Sequence, residues 1–181
     1  MITSKKLKFI GALDCYNCYI FKPSLFSYYY NDGKSNQWPS FRKTLKHKIH
    51  MMLYVLFGGY KIFYIEKDKD IVSYLIYRKG GKMTVKGSNK SDFYTIYLFT
   101  YPDYRNKGIA SLMTNYLINS YETSFSKWYK TIEKDNFPSK AVAIKNGFKP
   151  SSEAFLKGLL RIVVPCDSGK KELYIFQSKK N

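Results

Sequence analysis

The stretch from Phe93 to Ala110 leaves this chain few choices of fold. Phe93 to Thr100 is a long run, apolar or aromatic on both alternating sets of positions, as in a strand at the middle of a sheet. It ends in Tyr101-Pro102-Asp103-Tyr104, and Arg105-Asn106-Lys107-Gly108-Ile109-Ala110 follows at once. Ile109, Leu112, Met113, Tyr116 and Leu117 then keep the i, i+3, i+4, i+7, i+8 rhythm of a half-buried helix. A strand that turns through a basic, glycine-containing loop into a helix N-terminus is physically a phosphate site. The first helical N–H groups lack intrahelical partners, and the dipole there favours negative charge. Gly108 and Ala110 carry no bulky side chain, so an anion can approach the main chain closely.

The rest of the chain arranges itself around that unit. Leu7 to Lys22 reads as a strand, and Ser24 to Asp32 is aromatic-rich before the turn signal Asn31-Asp32-Gly33. Pro39 and Ser40 predict a helix start, with Phe41, Leu45, Ile49, Met52 and Leu56 on one face and Gly58-Gly59 as its stop. Arg42, Lys43, Lys46 and Lys48 fall on the opposite face. Tyr60 to Glu66 and Ile71 to Arg78 are two strands joined by Lys67-Asp68-Lys69-Asp70, and Lys82 to Lys86 is a short arm between polar turns. Trp128 to Glu133 is a further strand, Pro138 and Gly147 bracket a short helix, and Lys149 to Val164 and Glu172 to Gln177 close the fold. Antiparallel hairpins followed by strand–helix–strand–helix predict one domain over residues 1–181, with a mixed α/β sheet.

Composition narrows the function classes. At 181 residues and 45% hydrophobic, the chain can bury a real core. The apolar run Met51 to Tyr60 is too short to span a bilayer, and no signal peptide opens the chain, so a cytoplasmic protein without a membrane partner is expected. Three cysteines and the lone Cys15-Tyr16-Asn17-Cys18 pair fall short of a zinc set, and His47 and His50 lack matching ligands, so no metal is expected. The formal charge of +18 points to nucleic acid, an anionic surface or acidic small molecules. Only Arg42, Arg78, Arg105 and Arg161 are arginine among the 31 basic residues. Lysine lacks the bidentate fork used to read bases, so nucleic acid is an alternative partner and not the favoured one.

Arg105-x-x-Gly108-x-Ala110 after a strand resembles the pyrophosphate-binding signature of the GNAT superfamily of N-acetyltransferases. Asn136-Phe137-Pro138-Ser139, followed by a short helix and Gly147-Phe148, is similar to that family's second motif, in the right order and at the right spacing. The resemblance implies a central mixed sheet, mostly antiparallel with a parallel pair at the cofactor cleft, flanked by helices. It implies acetyl-CoA as co-substrate and direct acetyl transfer to a primary amine. Leu98, Phe99 and Thr100 would hydrogen-bond the pantetheine arm through their backbone, as an added strand does. Arg105, Asn106, Lys107, Gly108, Ile109 and Ala110 would hold the pyrophosphate through main-chain N–H groups, with Ser111 adding a hydroxyl. Asn136 and Ser139 would meet the arm from the next strand end, and Lys145 would reach a nucleotide phosphate.

The proton chemistry departs from the family pattern. Many members place an acidic tyrosine seven residues beyond the asparagine, where this chain has Ala143. Family bases often lie on the strand before the loop, facing the cleft, and the resemblance puts Tyr94, Ile96 and Leu98 on that face, with no carboxylate or histidine. Tyr94 is the one catalytic expectation, as a residue that positions water, since a phenol of pKa ~10 is a poor base at neutral pH. Glu66, Asp92 and Asp135 are further titratable groups near strand ends. The expected acceptor is a small amine, anionic or like a sugar or amino acid, because a polyamine would be repelled by the chain's charge. Acetylation of aminoacyl-RNA or of a protein amine, and acetyl-CoA binding without catalysis, are the alternatives. A homodimer is compatible with the sequence.

Overall fold

The computed structural model describes residues 7–27 and 45–178, apart from the side chain of Lys46. The turn expected at Asn31-Asp32-Gly33 and the helix start at Pro39-Ser40, with Phe41, Arg42 and Lys43, lie outside the described residues.

Among the described residues nine strands form one sheet in the order β1-β2-β3-β4-β5-β6-β9-β7-β8. The strands are β1 (Leu7–Leu13), β2 (Tyr16–Phe21), β3 (Lys61–Lys67), β4 (Asp70–Lys79), β5 (Phe93–Thr100), β6 (Lys127–Glu133), β7 (Lys149–Lys157), β8 (Ile162–Cys166) and β9 (Lys171–Gln177). Every neighbouring pair is antiparallel except β5 and β6. The chain makes tight reversals where its residues accept positive φ. Asp68 and Lys69, at φ 51° and 67°, join β3 to β4 in the two-residue turn that suits strand twist.

Among the described residues three α-helices cover the sheet: α1 (Leu45–Leu56), α2 (Ile109–Tyr116) and α3 (Phe137–Lys145). On one face Met51 and Tyr54 of α1 pack with Phe21, Ile62, Tyr64, Tyr74 and Ile76. On the other, Ile109 and Met113 of α2 and Ala143 of α3 pack with Leu75, Tyr77, Phe93 and Trp128. The two sets alternate along β4, as period-two side chains must. Among the described residues no helix is long and apolar enough to cross a membrane.

Three expectations need correction. Leu7 to Lys22, read as one strand, is the antiparallel hairpin of β1 and β2, turning at Asp14 with φ 50°. The apolar stripe on α1 is not the one inferred from spacing: Leu45, Ile49 and Leu56 are exposed, while Met51 and Tyr54 are buried. The Arg78 guanidinium lies 4.8 Å from the Tyr54 ring centroid, and that contact turns the tyrosine side of the helix toward the sheet. Helix α2 also changes pitch. Residues Leu117–Tyr121 form a π turn, which brings Ile118 into the core beside Leu117.

Candidate active site

The cleft originates in a single extra residue on β5. Tyr77 pairs with Thr95 and Ile76 with Tyr97, so Ile96 has no partner on β4 and forms a bulge. The parallel pairing of β5 with β6 runs only from Phe93 to Thr95. Beyond the bulge the two strands part, and the β5 edge facing β6 has no strand partner from Ile96 to Thr100. Open main-chain groups at that edge are what an extended ligand arm requires.

The bulge also shifts the alternation. Phe93 and Leu98 belong to the α2/α3 face, while Tyr94, Ile96, Tyr97 and Phe99 belong to the opposite side. Tyr94 and Leu98 therefore do not share a face, contrary to strict alternation. The Tyr94 hydroxyl is 2.8 Å from Thr131 Oγ1, and burial pushes its pKa up to about 12. A phenol held so firmly protonated is no base at neutral pH, and its place is that of a sheet tyrosine.

After β5 a 3-10 turn, Pro102–Tyr104, reverses the chain, and Asn106 and Gly108 take φ values of 61° and 75°. Gly108 is the N-cap of α2 and provides no side-chain cap. Its carbonyl accepts from the N–H groups of Ser111 and Leu112, so those of Ile109 and Ala110 point out of the helix start without intrahelical partners. Nothing lies within 4 Å of where a Cβ of Gly108 would stand, so the approach is open. Arg105 folds back, Nε donating to the Thr100 carbonyl at 3.1 Å with the guanidinium 5.7 Å from the Phe99 ring.

One cavity of about 600 Å³ gathers these pieces. Its walls are residues 98–100, the loop and first turn of α2, and Asn136, Ser139 and Lys145 from α3. Of the residues expected there, only Lys107 is outside, its Nζ lying 5.2 Å from the Tyr104 ring. Asn136 caps α3, with Oδ1 accepting from the Ser139 N–H at 3.1 Å, which leaves its amide N–H groups to donate elsewhere.

Asn146 was not foreseen. Its Nδ2 donates to Ser111 Oγ at 2.9 Å and to the Val142 carbonyl at 2.7 Å, fastening the end of α3 to the first turn of α2. Its position just before Gly147 at a helix end was the only signal for it. Lys130 was also missed. It lies on the cofactor-side face, 5% exposed, with no hydrogen-bond partner for Nζ.

Among the described residues no carboxylate or histidine lines the cavity. Asp92 accepts from the backbone N–H groups of Asn89 and Lys127, Glu66 pairs into β2 and β4, and Asp135 is exposed in a turn. Ala143 is fully buried in the core. Among the described residues no group of three or more His, Cys, Asp or Glu side chains could hold a metal. Burial pushes the Cys18 thiol up to about 11, so it stays protonated.

Residues 25–148 match the family model described as acetyltransferase (GNAT) family. Among solved structures, the microcin C7 self-immunity acetyltransferase MccE, in complex with acetyl-CoA and AMP, is similar at a TM-score of 0.56 and 18% identity, covering 88% of this chain and 92% of that one. An acetyl transferase from Salmonella typhimurium that modifies the N-terminal serine of ribosomal protein L7/L12 gives 0.54 and 15%, with coverages of 88% and 94%. The ribosomal L7/L12 α-N-protein acetyltransferase RimL, without ligand, gives 0.57 and 15%, with 89% and 93%. These likenesses are of fold. No curated protein matches the chain by sequence.

Proposed function

The chain belongs to the acetyltransferase (GNAT) family and is an acetyl-CoA-dependent acyltransferase, and we propose that it acetylates the primary amine of a small anionic acceptor directly. The observation that carries the donor half is the opening of β5 from β6 beside an uncapped helix start. The pyrophosphate meets the free N–H groups of Ile109 and Ala110, and the pantetheine arm runs along residues 98–100. Asn136 donates to the arm through its remaining amide N–H groups, and Lys145 neutralises nucleotide phosphate. The acetyl carbonyl sits at the bulge, where open backbone N–H groups stabilise the oxyanion as the amine attacks.

The acceptor amine sheds its proton to water before attack, since among the described residues no carboxylate or histidine lines the cavity that holds the acetyl donor. With alanine at 143, no side chain there protonates the departing thiolate, which takes its proton from solvent. The acceptor lies on the α1 face beside the bulge, next to Tyr97, which is half-buried and pairs with Ile76.

The test is thiol release from acetyl-CoA with a panel of small amines, ribosomal protein tails and aminoacyl-RNA. Turnover with small anionic amines, rising with pH toward the amine's own pKa, is expected. Turnover confined to protein tails or RNA overturns the small acceptor. Acetyl-CoA binding without turnover on any amine overturns catalysis.

A further inference from the structure

Arg78 gives the anionic end of the acceptor an address. Its side chain is on β4, 4% exposed, and stacks on the Tyr54 ring. Nη2 donates to the Phe57 carbonyl at 2.6 Å, while Nε has no partner. Burial lowers its pKa, yet a guanidinium remains charged at any physiological pH. No carboxylate among the described residues pairs with it. The ion pairs there are Lys61–Glu122, Lys134–Glu153, Lys140–Glu172 and Lys171–Glu133. Asp92, close to Gly80, already accepts from two main-chain N–H groups. A buried charge left without a counter-ion is costly, and a bound anion removes that cost.

The surroundings extend the basic field. Arg78 borders a cavity of about 570 Å³ together with Lys79, Lys82, Lys90 and the backbone of Gly80-Gly81. The Val163 N–H donates to the Thr84 carbonyl and the Lys86 N–H to the Val163 carbonyl, fastening this segment to β8. Two residues before Val163, Arg161 occupies the β7–β8 turn at φ 51°, exposed, with its neighbour Leu160 packed on the α1 side. Arg78 and Arg161 both lie near enough to the Tyr54 and Tyr94 phenols to act on them electrostatically.

We propose that Arg78 and Arg161, with Tyr54, bind the oxyanion of the acceptor, a phosphate or a carboxylate. The proposal rests on the acetyltransferase reading and adds a length to it. Arg78 pairs with Tyr94, so its backbone stands two residues, about 7 Å along the strand, from the bulge at Ile96, and a spacer must separate the acceptor's anion from its amine. Aminoalkyl phosphates and ω-amino carboxylates of increasing length, each against the matching uncharged amine, read that geometry. The expected kcat/KM advantage of the charged member is about 10–100-fold, the worth of one hydrogen bond to a charged group. It should pass through a maximum at one spacer length, because the anion site and the acetyl carbonyl are both fixed. Whichever series gains more, phosphate or carboxylate, identifies the source of the anion.

R161A and R78K should each reduce that ratio several-fold. A wild-type ratio near one, or a ratio unchanged in both variants, overturns the subsite. If no amine is acetylated, the acetyltransferase reading fails and the subsite is judged separately. Inorganic phosphate is then titrated with CoA saturating the loop at Arg105–Ala110. Binding weakened about tenfold in R161A supports the subsite, and binding equal in R161A and wild type refutes it.

Discussion

Replacing Lys130 by methionine should make this protein more stable, and by an amount that depends on pH. Lys130 hangs from β6 into the core beneath α3, its Nζ 5.9 Å from the Phe148 ring centroid and without a hydrogen bond. Burial drives its pKa from 10.5 down to about 8. At about 1.4 kcal/mol per pH unit of pKa displacement, the charged amine destabilises the fold by about 3 kcal/mol at pH 7. The sign follows from proton counts. Between pH 8 and 10.5 the unfolded chain holds this proton and the folded one has released it, so stability rises with pH across that window. Below pH 8 both states are charged and the penalty is constant. Methionine has nearly the same length, suits a sulfur–aromatic contact with Phe148, and carries no charge. Urea unfolding of wild type and K130M at pH 7, 8.5 and 9.5 measures the difference, and taking the difference cancels the tyrosines that titrate in both proteins. K130M should lead by about 3 kcal/mol at pH 7, or roughly 6–12 °C in Tm for a chain of this size, with the gap narrowing above pH 8. A K130M protein less stable than wild type at pH 7, or a gap that ignores pH, would refute the account of an uncompensated amine.

G108A places a Cβ at φ 75°, which costs an L-residue about 1–2 kcal/mol; CoA titration should show affinity reduced about 5–30-fold, or melting should show the same loss in the fold. Y94F removes the hydroxyl that meets Thr131 and should keep turnover within a few-fold, whereas a drop of 100-fold in thiol release would restore Tyr94 as catalytic. N136A deletes the α3 cap and should lower stability by about 1 kcal/mol in urea unfolding while also weakening CoA binding.

The donor half of the site was legible because it is local. Arg105 to Ala110 and Asn136 to Phe148 each act within one turn of chain, so glycine, proline and capping residues announce them directly. The bulge was not legible. Ile96 and Tyr97 are both suited to a buried face, so nothing in the residue types marks which one is extra, and Tyr94 was grouped with Leu98. The face of α1 was misread for a related reason: Leu45, Ile49 and Leu56 have the better spacing, but Arg78, distant in sequence, stacks on Tyr54. Lys130 sits in a strand otherwise rich in buried residues, and no local rule says that its amine is enclosed without a partner. Pairings between remote segments were the part that composition and period could not supply.

The extra residue in β5 gives one strand two independent vocabularies. Leu98 looks toward the helices of the cofactor side, while its neighbours Tyr97 and Phe99 look toward the face we assign to the acceptor. Substitutions at Tyr97 can therefore recut the acceptor's side of the molecule while leaving Leu98 and the contact of Phe99 with Arg105 in place. Descendants of such a strand are free to change what receives the acetyl group while inheriting what delivers it.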